Sequence, residues 1–199
     1  MKTITMVLLS SMLLLAFGAG NALAEDPLET ILTNHYGAVT YQEVLNTNEY
    51  EFDPGAYVVT ALIVDHQAGY TDPTGWYDAL SSTHPKTQLF PTPTAGDSMT
   101  FTAPGRFGIY IDSNAGTFYS KASLNSGSTK RARLFKINTA GPEPVYALGF
   151  EDLTDNDYND VVLEIKGANL SIPEFPTVAL PVAGVLGLLF VFGRKKEGL

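Results

Sequence analysis

The chain has 199 residues, a formal net charge of -9, 45% hydrophobic residues and no cysteine. The acidic balance makes nucleic acid and anionic lipid poor partners and divalent cations good ones. Without cysteine the fold must stand on its core alone, and about 150 residues, what remains once two unusual ends are set aside, suffice for that.

Residues 1–24 carry Lys2, an apolar run from Ile4 to Phe17 and then Ala22-Leu23-Ala24, the small-residue pattern a signal peptidase reads. This is the pattern of a secretory signal peptide. A short transmembrane or buried helix fits less well, because the run is short for a span. Residues 25–172 then form one exported domain. Lys2, Arg194, Lys195 and Lys196 of the 12 basic residues and Glu174 and Glu197 of the 21 acidic ones lie in the ends, which leaves 8 basic against 19 acidic side chains.

Within the domain, Leu28, Ile31 and Leu32 stand at helical spacing, while Thr40 to Leu45 fits a strand or an irregular entry, and the pattern decides neither. Asp53-Pro54-Gly55 signals a turn. The nearly continuous apolar run Tyr57 to Val64 predicts a central strand buried on both faces. Asp65 to Pro93 is dense in Gly, Pro, Asp, Ser and Thr and reads as a long loop with at most one short element around Trp76 to Leu80.

Ser98 to Ala103 and Arg106 to Asp112, around Pro104-Gly105, have the signature of a hairpin, with Phe107, Ile109 and Ile111 alternating. Thr117 to Ser120, Ala132 to Ile137, Val145 to Phe150 and Val161 to Ile165 complete the strands, and Ala168 to Pro173 reads as a linker. Short strands separated by turn chemistry predict an all-β fold, an antiparallel β-sandwich or jelly-roll-like domain. No solenoid or propeller repeat is present.

The chemistry concentrates in Gly149 to Ile165, GFEDLTDNDYNDVVLEI, six carboxylates with no Lys, Arg or His among them. Crowded like charges repel unless a cation sits between them. Oxygen donors without His or Cys favour Ca2+ over Zn2+ or copper. We expect Asp152, Asp155, Asp157 and Asp160 to hold one ion, with Glu151, Asn156 and Asn159 as second choices and Glu164 facing solvent from the last strand. The spacing of Asp155, Asp157 and Asn159 matches the first half of an EF-hand loop, but Asp160 stands where that loop needs Gly and Lys166 where it needs Glu. The competing structural reading is that Asp and Asn simply form turns well.

This segment is similar to the carboxy-terminal signature of the domain of unknown function 4114 family, in which FED or WED precedes D-x-DYND and a final strand. A looser likeness extends to Thr117-Phe118-Tyr119-Ser120, Leu124-Asn125 and the strand at Phe107 to Ile111. The resemblance implies an exported, mostly β domain of surface proteins, with metal binding suspected and no established activity.

At the carboxy terminus, Phe175 to Phe192 is uncharged and is followed by Arg194-Lys195-Lys196. As a helix its 18 residues reach roughly 27 Å, just enough to span a membrane, and the basic cluster places the domain outside the cell. Pro173-Glu174-Phe175, this helix and the basic cluster resemble the PEF-CTERM sorting signal of archaeal surface proteins. The resemblance implies cleavage near Pro-Glu-Phe by an archaeosortase and replacement of the tail, residues 173–199, with a lipid anchor. An ordinary transmembrane anchor is the alternative.

Other signals are weaker. His35, His66 and His84 have no metal-ligand spacing, and no G-x-S-x-G, phosphate-binding glycine loop or H-E-x-x-H occurs. The expected function is that of a non-enzymatic, Ca2+-binding structural or adhesive module on an archaeal cell surface. Its partners would be a signal peptidase, an archaeosortase, the membrane, and a surface glycan or protein. Carbohydrate binding through the aromatic Trp76 loop is the alternative, and a polysaccharide hydrolase with paired acids a third.

Overall fold

The structure is a computed structural model that describes residues 25–37, 41–45, 47–55 and 58–171. The expected signal peptide, the expected carboxy-terminal helix and the Pro173-Glu174-Phe175 motif lie outside the described residues. Two antiparallel sheets face one another. The first runs in the order β1 (Tyr41–Glu43), β9 (Ala132–Ile137), β10 (Val145–Phe150), β11 (Val161–Lys166), β3 (Val59–Asp65) and β6 (Ser98–Phe101). The second runs β12 (Ala168–Leu170), β2 (Glu51–Pro54), β7 (Phe107–Ser113), β4 (Thr74–Asp78) and β5 (Lys86–Phe90), with β8 (Gly116–Tyr119) pairing the outgoing half of β7.

Alternation sets the core, because successive side chains on a strand point to opposite faces. Val59, Ala61 and Ile63 of β3, Tyr146, Leu148 and Phe150 of β10, and Val161, Leu163 and Ile165 of β11 meet Phe52, Phe107, Ile109 and Ile111 from the other sheet. This is the expected sandwich. The first sheet is also covered outside. Helix α1 (Leu28–Tyr36) lays Leu28, Ile31 and Leu32 on Phe135, Ile137, Val145, Ala147 and Val162. That second contact explains why β10 is buried along its whole length.

Several expectations need correction. The stretch from Asp65 to Pro93 is not one loop: it contains β4 and β5, paired as Gly75 with Gln88 and Trp76 with Thr87. A Cβ at Gly75 would lie 2.2 Å from the Thr87 carbonyl oxygen, so close strand pairing here requires the residue that otherwise suggests a loop. Trp76 therefore sits in a strand, half-buried, with its ring stacked on Phe101 at 5.9 Å across the two sheets.

Ser98 to Ala103 and Arg106 to Asp112 do not form a hairpin. β6 pairs β3 in one sheet and β7 pairs β4 in the other, so Pro104-Gly105 carries the chain between layers. The hairpin is β7–β8, closed at Ser113 and Gly116. β2 occupies the site of the expected Asp53-Pro54-Gly55 turn, and β12 pairs it from what reads as a linker. β3 begins at Val59 and buries only one face fully, with Thr60, Leu62 and Val64 half-exposed.

Gly149 ties this framework to the acidic turn. It lies on the helix-covered face of β10, and a Cβ there would fall 2.4 Å from the Tyr158 carbonyl oxygen and 2.6 Å from Leu28 Cδ2. Gly149→Ala should destabilise the domain by about 1 to 3 kcal/mol, the usual range for overpacking. Denaturant unfolding tests this, and an unchanged midpoint would show that the turn does not rest on β10 as described.

Candidate metal centre

Phe150 pairs with Val161, so residues 151–160 form the connection between β10 and β11 at one end of the sandwich. The connection is held from several sides. Glu151 N donates to Arg131 O at 3.0 Å, Leu28 N to Asp157 O at 3.3 Å, and Asn159 Nδ2 to Asp26 O at 2.9 Å. Tyr158, with a left-handed φ of 58°, drops its ring into the cluster under α1, where Lys130 and Arg133 lie over it at 5.8 and 5.7 Å. Such a backbone conformation is disfavoured for an aromatic residue and persists because its surroundings fix it.

The carboxylates fall into two adjoining groups. Glu151, Asp152 and Asp160 are 2%, 2% and 8% exposed, and each offers an oxygen within 4.8 Å of the others. Glu25, Asp155 and Asp157 form the second group, with Asp155 exposed and Asp157 half-buried. The four residues expected to hold one ion are thus divided: Asp152 and Asp160 meet the second-choice Glu151, while Asp155 and Asp157 meet Glu25. Sequence reasoning missed Glu25, which only the fold brings to the turn. Of the other second choices, Asn156 is exposed and donates Nδ2 to Thr154 O, whereas Asn159 is fully buried. Glu164 lies on the helix-covered face of β11 and accepts a hydrogen bond from Tyr36 at 2.6 Å.

Backbone and hydroxyl donors satisfy part of the buried group. Asp152 N donates to Asp160 Oδ2 at 2.6 Å, Ser113 Oγ to Asp152 Oδ2 at 3.0 Å, and Leu153 N to Glu151 Oε1 at 3.1 Å. No ion pair to a basic side chain reaches Glu151, Asp152 or Asp160 among the described residues. Burial pushes the Glu151 carboxyl above its ordinary range, and the neighbouring Asp155 adds to this. Burial likewise raises Asp152, with the charge of Asp72 contributing. Asp160 is pushed up to about 8, chiefly by burial and then by the charges of Asp152 and Glu151, against the Asp152 amide, which lowers it. Three close carboxylates in this setting hold either protons or a cation. The all-oxygen donor set fits a hard cation such as Ca2+.

The fold and this carboxylate cluster define an all-β sandwich with a candidate hard-cation centre at one end. Residues 94–168 match the model of the Domain of unknown function (DUF4114), and residues 172–196 match the PEF-CTERM archaeal protein sorting domain. The first match takes in the acidic turn, Phe107 to Ile111, Thr117 to Ser120 and Leu124-Asn125. The second implies attachment at the cell surface and handling by an archaeosortase-type enzyme. No curated protein matches the chain.

Among solved structures, the chain is similar to the C-terminal domain of BC2L-C lectin from Burkholderia cenocepacia, at 12% identity and TM-score 0.43, over 63% of this chain and 97% of that one. It is also similar to the Ralstonia solanacearum high-affinity mannose-binding lectin, at 18% identity and TM-score 0.35, over 65% and 96%. At these scores neither likeness bears on ligand or activity.

The residues of the matched segment upstream of the turn have structural work. Ser120 Oγ donates to Tyr50 O at 2.6 Å and accepts from Ile109 N. Asn125 Nδ2 donates to Tyr119 O and Thr129 O, and its Oδ1 accepts from Tyr119 N. These bonds fix the open end of the β7–β8 hairpin, at whose closed end Ser113 donates to Asp152.

The folded protein retains the Asp160 proton to about pH 8, against an ordinary value of 3.8. That contribution to stability is complete below about pH 4 and is lost as pH rises through 8. In chelator, the melting temperature should therefore fall between about pH 5 and pH 8, and Asp160→Asn should flatten the slope. A chelated wild-type protein that becomes more stable over this interval would contradict the assignment.

Proposed function

We propose that this domain is a structural or adhesive module, displayed outside an archaeal cell and completed by Ca2+ held at the 151–160 turn. The observation that carries the reading is the burial of Glu151, Asp152 and Asp160 together, with no ion pair to any of them among the described residues. Buried charge of one sign is strongly unfavourable unless it is neutralised. A divalent ion would neutralise it, with Asp155, Asp157 and Glu25 as the adjoining donors on the solvent side.

The same crowding argues against hydrolysis. Glycosidase acids work across a cleft, roughly 5 to 10 Å apart, whereas these oxygens lie within 4.8 Å of one another. Trp76 is half-buried against Phe101 rather than presented on a loop, which weakens the carbohydrate reading built on it.

An ion that binds only the folded state at a hundredfold excess over its Kd stabilises by about 2.7 kcal/mol. For a domain of this size that corresponds to roughly 5 to 10 °C. Millimolar Ca2+ should raise the melting temperature of membrane-extracted protein by that order, Asp152→Asn should remove most of the rise, and Asp157→Asn should remove less. Identical melting curves with Ca2+ and with chelator would defeat the metal reading.

We also place the mature domain on a lipid anchor, with the tail from Phe175 onward removed by the archaeosortase-type enzyme. Mass spectrometry of the mature protein should then find no peptide from the apolar helix. Recovery of an intact end at Leu199 would mean that the helix itself is the anchor.

A further inference from the structure

Asp72 is fully buried, and neither of its carboxylate oxygens accepts a hydrogen bond from any described residue. The cationic group nearest to it in any described ion pair is His66, whose Nε2 stands 3.5 Å from Oδ2 and also lacks a hydrogen-bond partner. A buried carboxylate in this condition is among the most unfavourable arrangements a fold can hold, unless a bound cation completes it.

Its position joins it to the acidic turn. Asp72 directly precedes β4, held in a left-handed conformation with φ of 39° while Thr74 Oγ1 donates to its carbonyl at 2.8 Å. The next residue, Pro73, accepts from Asp112 N at 2.8 Å, and Ser113, following Asp112, donates to Asp152. From the other side, Gln67 N donates to Asp160 O at 3.3 Å. The segment 66–73 is therefore bonded to Asp160 directly and to Asp152 through Asp112 and Ser113.

A second oxygen is left over in the same turn. Asn159 is fully buried, its Nδ2 is engaged by Asp26 O, and its Oδ1 has no hydrogen-bond partner among the described residues. The unsatisfied oxygens of Asp72 and Asn159 are all acceptors. A hard cation takes six to eight oxygens, and the three buried carboxylates of the turn offer one each within 4.8 Å of one another.

We propose that Asp72 is a ligand of the cation centre, so that one ion joins the entry to β4 in one sheet to the β10–β11 turn of the other. This rests on the cation reading above and extends it beyond the 94–168 family segment, in which Asp72 does not lie. The rival explanation is a plain His66–Asp72 ion pair.

Calcium titration calorimetry and melting curves of the membrane-extracted mature protein separate them. Asn tolerates the left-handed backbone and removes the charge, so Asp72→Asn should melt no lower than wild type in chelator. It should lose at least about tenfold in Ca2+ affinity, and His66→Gln, which touches the ion only through Asp72, should lose less. Wild-type affinity in Asp72→Asn overturns the proposal and leaves the metal reading standing. So does a variant that fails to fold even in chelator, or His66→Gln losing as much affinity as Asp72→Asn. A wild-type protein that binds no Ca2+ removes the metal reading itself and the role of Asp72 with it.

Discussion

The structure depends on one electrostatic constraint: Glu151, Asp152 and Asp160 are brought within 4.8 Å of one another where the last long hairpin leaves the sandwich. Hydrophobic burial puts them there. Phe150 and Val161 are fully buried and paired, so the residues just outside them cannot move away from the core without pulling the strands apart. The repulsion is the consequence of good packing on either side, and the Asp152 amide and the Ser113 hydroxyl offset only part of it.

The outer layer makes the arrangement rigid. α1 is a short helix that would not persist alone in water and owes its place to Leu28, Ile31 and Leu32 on the first sheet. In return it covers Tyr158, whose ring lies in the same cluster and whose carbonyl approaches Gly149. The chain just before the helix contributes Asp26 O to Asn159 and Glu25 to the solvent-side carboxylates. The start of the domain and its acidic turn thus form one packed unit, although most of the chain separates them in sequence.

What the sequence made legible follows from how local each signal is. Two apolar runs flanking an acidic stretch place the turn between β10 and β11, and the spacing of Leu28, Ile31 and Leu32 foreshadows the helix face that is buried. β4 and β5 are hidden because the pairing that makes them strands depends on a glycine whose Cβ would strike the partner backbone. The supposed β6–β7 hairpin fails for another reason: Pro104-Gly105 specifies a change of direction, not which sheet receives the next strand. Asp72 is the extreme case. One Asp in a Gly- and Pro-rich stretch carries no distinguishing pattern, and only the fold shows that it is buried without a hydrogen-bond partner among the described residues.

The lack of cysteine gives this constraint its wider meaning. A secreted β domain commonly ties its sheets with a disulfide, which constrains the chain irrespective of the medium. Here the ties between sheets are the core and the crossovers of the chain, such as β6 to β7 and β11 to β12, to which the ion we propose at the turn and Asp72 would be added. A tie made by binding differs in kind, because its contribution grows with the free ion concentration and competes with protons for the same carboxylates. With the proposed ion in place, the acidic turn would make the stability of the domain a function of the cation concentration and pH around it.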